Sequence, residues 1–212
     1  MYKKLLLVVL SGIALQTAKA QTEKGTQNLG FSVAFNSNKS TTQNLNVNPY
    51  SVNFNVKQTS FTVAPTYSYF VSNNLDLGAS FNYTNFSVKY DGTNAVTQEQ
   101  SQKAIGGTLF LRKYFLYENK IGVRVGPSVS YSRSKQRLVS SGVGDNSDFN
   151  TYGGAVQLDF VYFPVKKIGL AAGLGNISYS KSKSTDSSVS SDAFNASFVN
   201  NLSLSVYYVF GK

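Results

Sequence analysis

Phe198-Val-Asn-Asn-Leu-Ser-Leu-Ser-Val-Tyr-Tyr-Val-Phe210 ends two residues short of the C-terminus. Phe198, Asn200, Leu202, Leu204, Val206, Tyr208 and Phe210 share one face of an extended strand, mostly apolar and closing in aromatics. Val199, Asn201, Ser203, Ser205, Tyr207 and Val209 share the other, which is mainly small or polar. Successive side chains of a strand point to opposite faces. A soluble strand alternates as well, with its apolar side turned into a core. Here the small and polar face recurs along the whole chain, which favours an inside-out protein with lipid outside and a polar interior.

Period-2 runs and turn residues divide residues 25–210 into four hairpins. The first strand is expected over Gly25–Asn36, with Leu29, Phe31, Val33 and Phe35 outward. The second, Ser60–Val71, turns Phe61, Val63, Pro65, Tyr67 and Tyr69 outward; the third turns out Leu75, Leu77, Ala79, Phe81 and Tyr83. Lys103–Leu116 shows Ile105, Leu109, Leu111 and Phe115, and the next strand Ile121, Val123, Val125, Val129 and Tyr131. The sixth shows Tyr152, Val156, Leu158, Phe160 and Tyr162, and the seventh Ile168, Leu170, Ala172 and Leu174. Asn176 breaks that face, so an end or bulge is expected there. The opening stretch is the eighth strand.

Three connections are tight, at Ser72–Asn74, Tyr117–Lys120 and Pro164–Lys167. The other four, near 37–59, 84–102, 133–150 and 178–196, are long and rich in Ser, Asn, Thr and Gly. Such asymmetry predicts an all-β, eight-stranded, antiparallel up-and-down transmembrane β-barrel, with short periplasmic turns and four long extracellular loops. With both termini periplasmic, the descending strands end in outward Tyr67 and Tyr69, Phe115, Tyr162, and Tyr208 and Phe210. Phe35, Phe61, Tyr83, Tyr131, Tyr152 and Phe198 collect at the opposite ends. Two aromatic rings bracketing an aliphatic band match the girdles of a membrane barrel. Beyond the expected bilayer edge, Tyr50, Val52, Phe54 and Val56 continue an alternation, as do Phe86, Val88 and Tyr90. These extensions of neighbouring strands are placed to pair into a protruding sheet, either capping the barrel or offering an edge to a partner strand.

The N-terminus reads as a secretory signal over residues 1–20: basic Lys3 and Lys4, an apolar run Leu5–Leu15, and the small-x-small site Ala18-Lys19-Ala20. That apolar run is too short to span a bilayer as a helix. Maturation would leave residues 21–212 as one outer-membrane barrel domain, exported through the Sec pathway of a Gram-negative bacterium. Mean hydropathy is −0.16, as expected when only every second residue of a strand is apolar. The chain carries 14 Tyr and 15 Phe but no Trp, Cys or His. Lacking cysteine it has no disulfide, thiol or soft-metal chemistry. Lacking histidine it has neither the commonest general base nor the commonest metal ligand. No cofactor is expected, and no catalytic residue. The formal charge is +10, but an exported basic protein meets membrane before nucleic acid.

Four charges fall on inward strand positions: Asp76, Arg112, Arg124 and Asp159. Asp76 starts the third strand and Arg112 lies near the end of the fourth; Arg124 starts the fifth and Asp159 nears the end of the sixth. Each pair is therefore expected side by side near the periplasmic rim. Pairing offsets the cost of charge in a narrow lumen, so a balanced polar plug is expected in an interior that side chains nearly fill. A catalytic carboxylate pair is the sharper alternative, but arginine partners favour permanently ionised, structural carboxylates. Arg133, Lys135 and Arg137, with Lys181 and Lys183, cluster where strands leave the membrane. They suit lipopolysaccharide phosphates and equally an ordinary solvated loop.

The stretch Phe61-Thr-Val-Ala-Pro65-Thr-Tyr-Ser-Tyr-Phe-Val-Ser-Asn-Asn-Leu75-Asp-Leu-Gly78 resembles the second hairpin of small porin-family barrels of the Bacteroidetes type. Leu109-Phe-Leu-Arg112-Lys-Tyr114-Phe115 is similar to a Phe-x-Arg-x-Tyr run in that family's fourth strand. The resemblance covers essentially the mature chain and extends to OmpA- and OmpX-like barrels, without the OmpA class's peptidoglycan-binding domain. It implies a non-enzymatic outer-membrane protein with a structural or surface-interaction role. Its expected partners are outer-membrane lipid and lipopolysaccharide, the barrel assembly machinery and a ligand or protein at the loops, with no nucleic acid. Tyr208 and Phe210 would serve as the C-terminal assembly signal, although Gly211 and Lys212 follow where the usual signal ends in an aromatic. A narrow pore for small solutes is the first rival. A lipid-modifying barrel enzyme is the second, disfavoured because such enzymes generally use a histidine.

Overall fold

The computed structural model describes residues 21–44, 52–92, 98–140, 143–186, 188–198 and 204–211. The signal segment 1–20, Tyr50 and residues 199–203 of the opening stretch lie outside them. The strands are β1 (Gln27–Asn44), β2 (Val52–Ser72), β3 (Leu75–Gly92), β4 (Gln98–Tyr117) and β5 (Ile121–Ser140). They continue as β6 (Val143–Val165), β7 (Ile168–Ser184), β8 (Ser190–Phe198) and β9 (Leu204–Phe210). From β1 to β8 successive strands pair antiparallel, and β9 pairs with β7 and returns to β1, Gln27 facing Phe210 and Val33 facing Leu204. With β8 and β9 as two parts of the last stave, the ring has eight members and the up-and-down order expected of it.

The last stave is not one run. Gly175 faces Phe198 while Ala172 faces Leu204, so β7 advances three residues where the final stave advances six. In the described pairings β9 alone meets β1, whereas β8 and the part of β1 beyond Val33 pair on one side only. The bulge expected at Asn176 falls two residues earlier: Leu158 pairs with Gly175 and Asp159 with Gly173, leaving Leu174 as the extra residue. Beyond it β7 continues to Ser184 with Ile177 and Tyr179 outward.

The long connections are strand for much of their length. Phe54 to Val63 of β2 pairs with Tyr83 to Gly92 of β3, and β4 to β6 extend comparably. Boundaries read at Asn36, Ser60, Tyr83, Lys103, Tyr131 and Tyr152 are therefore short by several residues. At the other end the turns are tight. Glu118 and Asn119 hold φ of 49° and 56°, and Lys120 N donates to Tyr117 O at 3.0 Å, a left-handed turn within the three-residue connection from Tyr117 to Ile121.

Aromatics fit inside this narrow tube where glycine faces them across the ladder. The ring of Tyr207 lies over Gly30 opposite it, and a Cβ built on Gly30 would run into that ring. At Gly78 a Cβ would stand 2.5 Å from Phe110 Cζ, Ser68 Cβ and the Tyr67 carbonyl oxygen, and backbone cannot yield as a side-chain tip can. Gly78→Val is expected to cost about 1–3 kcal/mol, the usual range for overpacking. A lowered urea midpoint for the barrel refolded in vesicles would register it; an unchanged midpoint would contradict the packing described.

Candidate functional site

Strand parity divides the side chains. On β5, Ile121, Val123, Val125, Pro127, Val129 and Tyr131 all point outward, and Arg133 follows. Ten residues at about 3.3 Å each, tilted by about 40°, give an apolar band about 25 Å tall, the height of a hydrocarbon core. The other staves agree, with Phe31, Phe81, Leu109 and Val206 outward and about half or more exposed. Tyr131 and Tyr152 touch at 5.1 Å between ring centroids at the upper border, and Tyr208 and Phe210 stack at 6.4 Å at the lower one.

Above the upper border the pattern inverts. No register shift interrupts β3 to β6 there, so inward parity carries on to Phe86, Val88, Leu138 and Phe149. Val88 is buried at 6 % exposure, while Lys57, Lys89, Lys103, Lys135 and Arg137 take the outward, exposed positions. A wall that is apolar outside below one level and charged outside above it has lipid against the first part and water against the second.

Inside, the structure brings the four inward charges together. Asp76 faces Arg112 and Arg124 faces Asp159 directly across their ladders. Arg112 donates from Nε to Asp76 Oδ1 at 3.0 Å and from its second guanidinium nitrogen to Oδ2, a bidentate pair. Arg124 Nε donates to Asp159 Oδ2 at 2.7 Å. The two pairs join, as the expected plug requires, in one network, and the joints are tyrosines that the sequence reading did not assign to it. Tyr114 Oη donates to Asp76 Oδ2 at 3.1 Å and accepts from Arg124 at 3.2 Å, while Tyr207 Oη accepts from Arg124 at 2.6 Å. Ser68 Oγ also donates to Asp76 Oδ2 at 2.8 Å, and Gln157 Nε2 donates to Asp159 Oδ1 at 2.9 Å. Arg112 also lies 3.8 Å from the Phe110 ring centroid, close enough for a cation–π contact. Asp76, Arg112, Arg124 and Asp159 are all buried. Both carboxylates are thus held by arginine, and Asp159 borders the cavity above.

Beneath the network an apolar cluster fills the end that carries the tight turns: Phe70, Tyr114, Val161, Phe163, Ala171, Tyr207 and Val209. Residues 21–26, which carried no signal in the sequence, close the mouth below it. Gln21 Nε2 donates to Val165 O at 2.8 Å, Lys24 N to Asn73 Oδ1 at 3.0 Å and Gly25 N to Phe70 O at 2.9 Å. Gln21, Thr22 and Thr26 are buried. Above the network lies a polar cavity of ≈ 300 Å³, lined by Ser32, Ser80, Asn82, Thr108, Ser128 and Gln157 and floored by both arginines.

The outer basic cluster also has a definite form. Arg133, Lys135 and Arg137 on β5 and Lys181 and Lys183 on β7 share the outward parity, Arg133 and Lys183 meeting across Asn150 of β6. Arg133 donates to Asp148 at 2.7 Å and Lys181 lies 3.4 Å from Asp192. The hydrogen bond and charge of Asp148 raise the Arg133 pKa above its ordinary value. Tyr208 and Phe210 stand outward at the lower border, and Gly211 after them takes φ of 99°.

No family model and no curated protein matches the sequence. Among solved structures, OprG, an outer-membrane protein of Pseudomonas aeruginosa, aligns with TM-score 0.53 and 14 % identity, over 92 % of this chain and all of that one. Ail, the attachment invasion locus protein of Yersinia pestis, aligns with TM-score 0.43 and 12 % identity, over 88 % of this chain and 99 % of that one. At such identity the OprG alignment speaks to fold: the chain has the architecture of a small outer-membrane β-barrel.

Proposed function

We propose that the protein is an integral outer-membrane barrel with a structural or cell-surface interaction role, closed to solutes and without enzymatic activity. The observation that carries this reading is the buried network of Asp76, Arg112, Tyr114, Arg124, Asp159 and Tyr207, stacked on an apolar cluster and on residues 21–26. Passing an ion through it means breaking charge-assisted hydrogen bonds among buried groups, which costs several kcal/mol. The inverted surface supports residence in a membrane, and the signal-like N-terminus supports Sec export to the outer membrane of a Gram-negative bacterium. The two motif stretches, Phe61–Gly78 and Leu109–Phe115, support kinship with Bacteroidetes-type porin-family barrels.

Lipid and lipopolysaccharide surround the wall in this reading, and Tyr208 and Phe210 are offered to the assembly machinery. The protruding hairpins, β2–β3 above all, are where a protein or surface ligand would dock. A narrow solute channel is the second reading, favoured by the polar cavity above the network. Planar-bilayer recording of the refolded protein separates the two. A closed barrel gives no stable unitary steps, whereas steady steps in the wild type, unchanged in Asp76→Ala, would support the channel and reject the plug.

A further inference from the structure

Where β6, β7 and β8 meet, the outer wall carries an apolar hollow of ≈ 400 Å³ lined by Val156, Leu158, Gly175, Ile177, Ala196 and Phe198. Two local features make it: the bulge at Leu174, and the missing side chain of Gly175 beside the ring of Phe198. The nearby polar groups bond to each other, Ser197 Oγ donating to Asn176 Oδ1 at 2.8 Å. The rest of the lining is apolar, and hydrocarbon fits it.

The charges lie directly above. On the same face of β7, Tyr179, Lys181 and Lys183 follow Ile177. Four residues from Ile177 to Lys181 span about 13 Å of strand, the reach of a medium-length acyl chain hanging from a headgroup. Arg133 stands level with Lys183 but two strands away, a lateral separation of about 10 Å. Cations so spaced offer two seats, which suits two phosphates carried on one headgroup. Asp148 and Asp192 neutralise part of this positive charge, through half-exposed ion pairs that water and ions compete with.

Resting on the membrane reading above, we propose that this face binds one multiply acylated lipid bearing two phosphates. One acyl chain fills the hollow, and the phosphates lie against Lys181 and Lys183 on one side and Arg133 on the other. The acyl seat makes the site selective in a way that surface charge alone does not.

The test refolds the full mature chain into phosphatidylcholine vesicles containing bisphosphorylated lipid A, then releases it for native mass spectrometry. Retention of one lipid A per barrel is expected. It should fall about tenfold for the dephosphorylated lipid, for Lys181→Gln/Lys183→Gln, and for Ala196→Phe, which fills the hollow. Val156→Phe fills it from another strand, should Ala196→Phe fail to fold. Undiminished retention by a folded hollow-filling variant, equal retention of dephosphorylated lipid, or no retention by a fully inserted wild type would each overturn the site. Failure of the wild type to insert at all would count instead against the membrane reading.

Discussion

Leu109→Arg is expected to destabilise the barrel in bilayers by about 2–4 kcal/mol, the cost of a cation on the lipid face near the membrane midplane. Leu109 is 60 % exposed, yet it stands between Ile105 and Phe115 on the apolar band. In a water-soluble protein the same substitution at so exposed a site would change stability by no more than about 0.5 kcal/mol. Ser130→Arg supplies the control, since Ser130 pairs with Thr108, the lumen-facing neighbour of Leu109. Its cost is expected near 1 kcal/mol or less, because the added guanidinium can stay hydrated inside. Urea titration of both variants from vesicles reads the difference. A ranking in which Ser130→Arg is the more damaging would reject the inside-out wall.

Arg124→Met should be the most damaging change inside the lumen. Arg124 satisfies Asp159, Tyr114 and Tyr207 at once, at 2.7, 3.2 and 2.6 Å. Removing it strands a buried carboxylate, and breaking a buried pair from one side costs about 3–5 kcal/mol. The double variant Arg124→Met/Asp159→Leu removes both charges and should recover much of that loss, giving a coupling of at least about 1 kcal/mol. Additive losses would mean that the two groups do not depend on each other. A leak current in the single variant but not the double one would locate the seal in the paired charges.

The wall was legible in the sequence because the membrane imposes a strict rule there. Leu75 to Tyr83 and Ile121 to Tyr131 alternate without error, and the inward charges met as hairpin geometry required. The linkage between the two pairs was only partly legible. Tyr114 and Tyr207 are large aromatics on a face of small polar residues, and that exception was the available signal. Tyr114 stands directly across the β4–β5 ladder from Arg124, a contact the register of one hairpin gives, whereas Tyr207 reaches Arg124 from β9 only through the curvature of the closed ring. The extensions of β2 and β3 were legible in their continued alternation, and they pair as expected. Those of β4 and β5 were hidden because the outward residues there become Ser101 and Lys103, and Arg133, Lys135 and Arg137, which in sequence resemble a loop. Residues 21–26 form a short polar run whose burial depends on the turns at Asn73 and Val165.

Site-directed spin labelling along β3 in bilayers tests the central claim most directly, and a chain without cysteine admits single-cysteine labels from Leu77 to Tyr90, the packed Gly78 apart. Accessibility to oxygen, which concentrates in lipid, should peak at Leu77, Ala79 and Phe81 and fall at Ser80 and Asn82. Above Tyr83 the odd positions, Ser87 and Lys89, should instead become accessible to a water-soluble nickel complex. An even profile, or oxygen maxima on Ser80 and Asn82, would contradict a barrel with lipid outside and a closed polar lumen within.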